Sequence, residues 1–264
     1  MLMEKRLIDI VAIVEQKRSV SVQELMILLN ASESTIRRDL NTLDANGQIV
    51  KVHGGAMAVG SVYYTKDDEV VNRQDLNKEA KQAIARYAAE LIKPNDFVYI
   101  DAGTTTELMI DFIAEKKAVF VTNATIHAKK LAQMGCTTYI LGGEYKATTE
   151  AIVGEEAYVS LSKYNFTKGF WGTNGVSQPL GFSTPDLKEA MIKKKSMERC
   201  RERYVLCDNS KFSQISSVSF ADFSSAKIIT NIITDDAYLK CNNIVEAAKE
   251  VSSHRSGNRG DRRE

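Results

Sequence analysis

The chain has 264 residues, of which 44% are hydrophobic and 26% are charged, and its formal net charge is +1. This length favours about two domains, and the balanced charge excludes a protein that holds nucleic acid or membranes through an overall basic field. Charged residues from Glu4 to Asp9 interrupt the N-terminus, so we expect no signal peptide, no membrane partner and a cytoplasmic location. Four scattered cysteines without a C-x-x-C pair predict free thiols, with no metal site and no cofactor.

The first sixty residues are patterned as three helices and a β-hairpin. Apolar residues recur at helical spacing over residues 5–16, and Ser21 begins a capping box for a second helix at 22–29. Ser32 then caps a third helix that ends near residue 45. Residues 48–59 alternate around a His-Gly-Gly turn, which indicates a wing.

The third helix has one apolar face and one polar face. Ile36, Leu40 and Leu43 follow each other at i, i+4 and i+7. The opposite face carries Ser34, Arg37, Arg38 and Asn41. Two helices joined by a short turn, the second with arginines on its outer face, are typical of a helix-turn-helix. Residues 1–57 contain seven basic and seven acidic side chains, so a merely solvated helix face is the alternative.

A longer spaced pattern makes the DNA-binding interpretation specific. The string Arg6-x3-Ile10-x3-Val14-x17-Ser32-x2-Thr35-Ile36-Arg37-Arg38-Asp39-Leu40, followed by LDANGQIVKVHGGA, resembles the signature of the DeoR/GlpR family of bacterial transcriptional regulators. The resemblance implies that the third helix enters the major groove of double-stranded operator DNA, with contacts from Ser32, Ser34, Thr35, Arg37, Arg38, Lys51 and His53. Which arginine reads a base stays open. Asp39 is expected to be a structural partner within the domain.

The remaining sequence alternates strands and helices. Strands are expected at 97–100, 118–122, 138–141, 168–171, 204–207 and 227–230, and helices at 78–92, 105–114, 126–134, 154–161, 186–199 and 235–241. This alternation predicts an α/β, doubly wound parallel sheet. The expected domains are therefore a winged helix-turn-helix at 1–58, a linker at 59–76, a sensor domain at 77–250 and a disordered tail at 251–264.

Polar residues follow the predicted strands at their carboxyl ends, where such sheets bind ligands. The most distinctive segment, Asp101-Ala-Gly-Thr-Thr-Thr106, turns from a buried strand into a helix N-terminus. Backbone N–H groups and threonine hydroxyls there suit an anion such as a phosphate. The alternative is an ordinary turn with a threonine N-cap.

The order of DAGTTT, VTNA, ILGGEY, WGTNGV, GFSTPD, EAMIKKK and CDNSKF resembles the sensor domain of the same family, which is similar to ribose-5-phosphate isomerase and has lost the enzyme's role. The resemblance implies an effector site made of Asp101, Gly103, Thr104, Thr105, Thr106, Thr122, Asn123, Asn174, Glu189 and Lys211. The threonine loop would hold the phosphate, with Lys211 as a cationic partner. An i,i+4 ion pair between Glu189 and Lys193 is the structural alternative. His127 falls on a predicted surface helix and is given no role.

These patterns predict a repressor of a sugar-utilisation operon, homodimeric or homotetrameric, that a phosphosugar releases or modulates. GFSTPD followed by EAMIKK looks most like the fructose-operon repressors, which implies fructose 1-phosphate as the effector; the lactose-phosphotransferase repressors, which respond to tagatose 6-phosphate, are next. Uncharged Asn174 stands where the isomerase-like pattern has acidic residues, which favours binding over catalysis. An isomerase-like enzyme fused to a DNA-binding domain and a DNA-binding oligomer without a ligand are the alternatives.

Overall fold

The computed structural model describes residues 3–17, 19–52, 54–58, 63–64 and 73–247. The chain forms two compact units. The first contains the described residues of 1–65 together with 174–186 and 211–223, and the second contains those of 66–173, 187–210 and 224–264. None of the helices in this described part is both long and apolar enough to cross a membrane. The boundaries expected for the four sequence segments stay a prediction.

The α-helices of the described residues, in chain order, are α1 Met3–Lys17, α2 Val22–Leu29, α3 Glu33–Ala45, α4 Lys78–Glu90, α5 Thr104–Ile110, α6 Thr125–Gln133, α7 Glu155–Leu161 and α8 Leu187–Glu198. The strands are β1 Ser19–Ser21, β2 Ile49–Val52, β3 Gly55–Ala58, β4 Tyr63–Tyr64, β5 Phe97–Ile100, β6 Val119–Thr122, β7 Thr137–Ile140, β8 Glu144–Lys146, β9 Ala151–Val153, β10 Phe166–Gly172, β11 Gly175–Ser177, β12 Gly181–Thr184, β13 Cys200–Leu206, β14 Ile215–Ser216, β15 Val218–Ala221, β16 Lys227–Thr230 and β17 Ile244–Glu246.

The N-terminal part of the first unit is a winged helix, as the sequence predicts. The side chain of Ser21 accepts a hydrogen bond from the N–H of Glu24 at the start of α2, and Ser32 accepts one from Thr35 at the start of α3. The wing strands β2 and β3 pair antiparallel, and β3 also pairs with β1, a short strand that the sequence pattern does not predict. Gly47 follows α3 with a φ of +68°, which a glycine adopts without strain.

The rest of the first unit is a small sheet that sequence periodicity does not reveal. Strands β11, β12 and β15 form a three-stranded antiparallel sheet. Gly181 has a φ of +74°, and a Cβ there would lie 2.0 Å from the carbonyl oxygen of Ala221, so the turn into β12 requires glycine. Within this unit Val52 and Met57 of the wing share a buried apolar cluster with Ile215.

The second unit is built on a seven-stranded sheet with the order β17-β16-β13-β10-β5-β6-β7, and every neighbouring pair is parallel. The chain builds outward from β5 through β6 to β7, and then continues on the other side from β10. This is the doubly wound arrangement that the alternation predicts, and its strand order reverses between β5 and β10. Ligand sites of such sheets lie beyond the carboxyl ends of the strands at that point.

One local expectation for the second unit is wrong. A helix is expected at 235–241, but the chain forms only a short 3-10 turn at Asp236–Tyr238. Asn77 is the N-cap residue of α4, although its side chain makes no capping hydrogen bond. Its amide donates to the carboxylate of Asp208 over 3.0 Å, which ties the start of α4 to the loop after β13.

Candidate functional sites

The exposed face of α3 is the candidate DNA interface. Its apolar residues Ile36, Leu40 and Leu43 are buried in the core of the winged helix, so the helix can present only its other face to a partner. That face carries Ser34, Arg37 and Arg38, all exposed, beside the cap residue Ser32 and half-buried Thr35. The predicted contact residue His53 lies outside the described residues.

The three basic side chains of this face differ in their surroundings. Arg37 forms an ion pair of 2.7 Å with Glu33, one helical turn earlier. Lys51 of the wing donates to the side chain of Asn41 over 2.6 Å, and its backbone N–H donates to Asp44, so α3 positions the wing strand. Arg38 forms no ion pair within the described part of the chain. Two of the three cations therefore have to exchange an existing contact before they can bind phosphate.

Asp39 is a structural residue, as expected. It is buried, and it forms an ion pair with Arg6 in which two nitrogen atoms of the guanidinium approach the two carboxylate oxygens. The pair connects α1 to α3 from the side opposite the exposed arginines. Its role is to fix the orientation of α3.

At the point where the sheet order reverses, a buried polar cluster joins β5, β10 and α8. Asp101 follows β5 and forms an ion pair with Lys193 of α8. The same ammonium donates to the carbonyl of Gly172 over 3.1 Å, and the N–H of Gly172 donates to Asp101. Burial, only partly offset by Lys193, raises the pKa of Asp101 to about 6.

Glu189 lies on the same helix, but it is held by a different segment. Its carboxylate accepts hydrogen bonds from Lys146 of β8 over 2.9 Å and from the hydroxyl of Thr149 over 2.5 Å. Glu189 is thus paired with Lys146, and Lys193 with Asp101. The negative charge of Glu189 also contributes to the raised pKa of Asp101, so the two carboxylates lie near each other.

Hydrogen bonds from neighbouring side chains hold the backbone of the threonine loop, residues 101–106. The hydroxyl of Thr106 is buried and reaches the carbonyl oxygens of Asp101 and Gly103, at 2.7 and 2.9 Å. The side chain of Asn123 accepts from the N–H of Ala102 over 2.9 Å, and its amide donates to the carbonyl of Ile152. These groups shape the loop, and their contact with an effector stays a prediction.

Thr122 and Thr105 are also buried. The hydroxyl of Thr122 accepts from the N–H of Ala124 over 3.1 Å, so it too serves the local backbone. Thr104 is the threonine of the loop that lines a cavity.

The expectation that His127 is an incidental surface residue is wrong. It is 1% exposed, and its imidazole donates to the backbone carbonyl of Gly103, directly below the threonine loop. Burial and the nearby Lys130 lower the pKa of His127 to about 3, which keeps the ring neutral near neutral pH. Its Nδ1 is buried without a hydrogen-bond partner among the described residues.

Beside the threonine loop, the second unit contains a cavity of about 260 Å³. It is lined by Gln74, Asp75, Lys78, Lys81, Thr104, Glu107, Leu108 and Lys130. Lys81 is buried and donates to the carbonyl of Arg73, while Lys130 forms an ion pair of 2.9 Å with Glu107. With the carboxylates Asp75 and Glu107, the three lysines give the cavity lining a net charge of +1.

Sequence reasoning missed Lys78 and Lys81 as site residues, because both belong to the amphipathic pattern of α4. One signal was available: Lys81 is three residues before Ile84 on the predicted apolar face, where an ammonium group is costly unless it has a partner.

The two remaining predicted effector residues belong to the first unit. The side chain of Asn174 accepts a hydrogen bond from Thr184 over 3.2 Å, and its backbone N–H donates to Ser183, so it is fixed to β12. Lys211 ends a 3-10 turn, Asn209–Lys211, and is half-buried. Their contact with an effector stays a prediction.

Comparison with known proteins gives a consistent result for both halves of the chain. Residues 76–236 match the family described as DeoR C terminal sensor domain, and residues 6–62 match the DeoR-like helix-turn-helix domain. The uncharacterized HTH-type transcriptional regulator FruR of Bacillus subtilis (strain 168) is 44% identical over 218 residues, which covers 82% of this chain and 86% of the relative. A lactose phosphotransferase system repressor of Streptococcus mutans is 31% identical over 88% of this chain and 92% of its own length.

Similarity to solved structures is weaker. A ribose 5-phosphate isomerase A from Methanocaldococcus jannaschii matches with a TM-score of 0.39 and 16% identity, over 52% of this chain and 55% of the isomerase. The translation initiation factor eIF-2B of Pyrococcus horikoshii OT3 also has a TM-score of 0.39, with 14% identity over 83% of this chain and 68% of that chain.

Proposed function

Since the chain belongs to the DeoR family of helix-turn-helix transcriptional regulators, we propose that it represses a sugar-utilisation operon and that a phosphorylated sugar, fructose 1-phosphate, controls its operator binding. The observation that carries the proposal is the cavity lined by Lys78, Lys81 and Thr104 beside the threonine loop. A phosphate dianion would find ammonium donors there.

The choice of sugar is supported by sequence likeness. FruR of B. subtilis is among the relatives at 44% identity, IolR of the same organism at 35%, and a lactose phosphotransferase system repressor at 31%. Fructose 1-phosphate is therefore the first candidate, and tagatose 6-phosphate is the second. The relatives are transcriptional regulators, so we propose that the sugar is bound without turnover.

For the signal, we propose a route through the chain that leaves β10. Gly172 ends β10 and exchanges hydrogen bonds with Asp101 and Lys193. The next residues, 174–186, form the small sheet of the first unit, whose strand β11 is tied to β1 by a buried hydrogen bond of 2.8 Å between the hydroxyls of Ser177 and Ser19. A change at Asp101 or Lys193 would thus reach the winged helix through covalently continuous chain.

The effector proposal is tested by thermal unfolding of the full chain with fructose 1-phosphate, tagatose 6-phosphate, unphosphorylated fructose and inorganic phosphate. We expect fructose 1-phosphate to raise the melting temperature most. Lys81→Met should weaken its binding by about tenfold or more, because a charge-assisted hydrogen bond is lost. Lys129→Met, a change of an exposed lysine on α6, is the matched control. If no phosphosugar stabilises the wild-type chain, the sensor proposal fails.

The DNA proposal is tested by binding of the protein to its own promoter region. Arg37→Ala and Arg38→Ala should each reduce affinity, with Lys163→Ala as an exposed control in the second unit. Loss of an arginine that reads a base should cost roughly 1–3 kcal/mol of binding free energy and relax the sequence preference at one position. Loss of an arginine that holds a phosphate should weaken binding to all DNA sequences alike and lower the salt dependence of binding. Unchanged affinity in both variants would contradict the placement of α3 in the major groove.

A further inference from the structure

Strand β7 is one edge of the seven-stranded sheet and has an unpaired side. It pairs in parallel with β6, and the N–H of Leu141 just beyond its end donates to Thr122 of β6. Since backbone groups alternate along a strand, those of Thr137 and Tyr139 also point toward β6. The N–H and C=O groups of Thr138 and Ile140 therefore point away from the sheet, where no strand of the described residues pairs with them.

The side chains of β7 leave this edge open and apolar. Tyr139 is 51% exposed and Ile140 is 45% exposed, on opposite faces of the strand. The strand has only four residues, but it contains no charge, no proline and no bulge, three of the features that protect an edge from pairing. The opposite edge strand, β17, is half-buried and carries Glu246, whose carboxylate accepts the N–H of Ile233.

We propose that β7 pairs antiparallel with β7 of a second copy of this chain, about a two-fold axis that passes beside Tyr139. Thr138 of each copy would then face Ile140 of the other and exchange backbone hydrogen bonds, about four in total. The two Tyr139 residues would face each other as a non-hydrogen-bonded pair, with Cα atoms about 4.5 Å apart. The seven-stranded sheets of the two copies would then form one continuous sheet.

A second copy fits this edge better than a different protein for two reasons. A two-fold axis places each residue near its own equivalent, so any charge at the axis would repel itself, and β7 is uncharged over its whole length. In addition, winged helices of this kind bind paired half-sites, which requires two copies related by a two-fold axis. This second reason rests on the proposed function, but self-association is measured without operator and without sugar, so its failure is distinguishable from failure of the proposed function.

The test is a charge-reversal pair at the axis, measured on the full chain by sedimentation equilibrium. Tyr139→Lys and Tyr139→Glu should each weaken self-association by about tenfold or more, because like charges meet at the axis. Mixing the two variants should restore association, since lysine then faces glutamate. Val159→Lys, which adds the same charge at an exposed apolar position of α7, should leave association unchanged.

A cross-link tests the register. Tyr139→Cys should form a disulfide-linked dimer under mild oxidation, because the expected Cα separation falls within the range that a disulfide spans. Val159→Cys, with the same four native cysteines, is the control, and it should remain unlinked. The proposal is overturned if the wild-type chain sediments as a monomer, if Tyr139→Lys associates like wild type, or if the mixed variants do not recover.

Discussion

His127 is the residue whose environment differs most from the sequence expectation, and its burial has a consequence for pH dependence. Its folded-state pKa of about 3 lies below the ordinary value of 6.5. The unfolded chain therefore binds a proton more readily than the folded one. The stability that this neutral histidine contributes is fully present above pH 6.5 and is lost as the pH falls toward 3.

We predict that His127→Gln reduces the acid sensitivity of folding. The glutamine amide keeps a donor for the carbonyl of Gly103 and removes the titrating group. Below pH 6.5 the free energy of unfolding of the wild type should fall relative to the variant by about 1.4 kcal/mol for each pH unit. Denaturant unfolding of both chains at pH 7.5 and pH 5 measures this difference. A difference that is the same at both pH values would contradict the burial of a neutral histidine.

The stability contribution of Asp101 depends on pH with the opposite sign to that of His127. Its folded-state pKa is raised to about 6, so the folded chain binds a proton more readily than the unfolded one. Its contribution to stability is present below its ordinary pKa and is lost as the pH rises through about 6. In the wild type, the contributions of His127 and Asp101 to the free energy of unfolding therefore change with pH in opposite directions. The difference between wild type and His127→Gln removes the Asp101 contribution, because both chains share it.

At the scale of elements, the orientation of α3 depends on its connection to α1. The buried carboxylate of Asp39 accepts hydrogen bonds from the guanidinium of Arg6. Apolar contacts, such as those of Ile36 and Leu40, also hold α3 in place. Removing one partner of a buried ion pair leaves the other without its compensating charge, and that cost exceeds what an exposed pair contributes. The exposed Arg37–Glu33 pair belongs to the weaker kind.

We predict that Asp39→Asn destabilises the winged helix, because the hydrogen bonds between Arg6 and the buried carboxylate are weakened. Amide hydrogen exchange should become faster in α1 and α3, while exchange in the central strands of the seven-stranded sheet stays the same. Glu15→Gln, a change of an exposed carboxylate on α1, is the control and should leave exchange unaltered. Equal protection of α1 and α3 in Asp39→Asn and wild type would show that the pair does not hold the two helices together.

The elements that sequence reasoning predicted well have strong local signals. Helix α3 combines a serine cap, a regular apolar spacing and a terminal glycine, and β5 is a short apolar run at the centre of the sheet. Strands β11 and β12 were missed because each contains a single large apolar residue, so neither shows the apolar run that marks β5. Burial of His127 could not be predicted either, because it depends on a partner in another element, here Gly103. For Lys81 the sequence offers one signal, its position three residues before Ile84, but not its partner Arg73.

At the scale of the whole molecule, the first unit is made of segments that are distant in sequence. The winged helix belongs to the same compact unit as residues 174–186 and 211–223. Both segments lie within residues 76–236, which match the sensor domain. The wing residues Val52 and Met57 pack against Ile215, and Leu180 is packed against the same cluster. Segments of the sensor sequence therefore form part of the body that carries α3. A regulator built in this way requires no flexible relay between its sensor segments and its wing.

We predict that Ile215→Ala separates operator binding from its control by sugar. The cluster around Ile215 is small, so removing its side chain should loosen the wing from the 174–186 segment while α3 and its core remain intact. Operator affinity without sugar should stay within about threefold of wild type, whereas the change caused by the effector, typically 1–3 kcal/mol, should shrink by half or more. Ile232→Ala, at an exposed isoleucine of the second unit, is the control. The measurement is operator binding by fluorescence anisotropy with and without the sugar that stabilises the wild type. A folded Ile215→Ala chain that responds fully to this sugar would show that the signal reaches α3 without the contact between wing and small sheet.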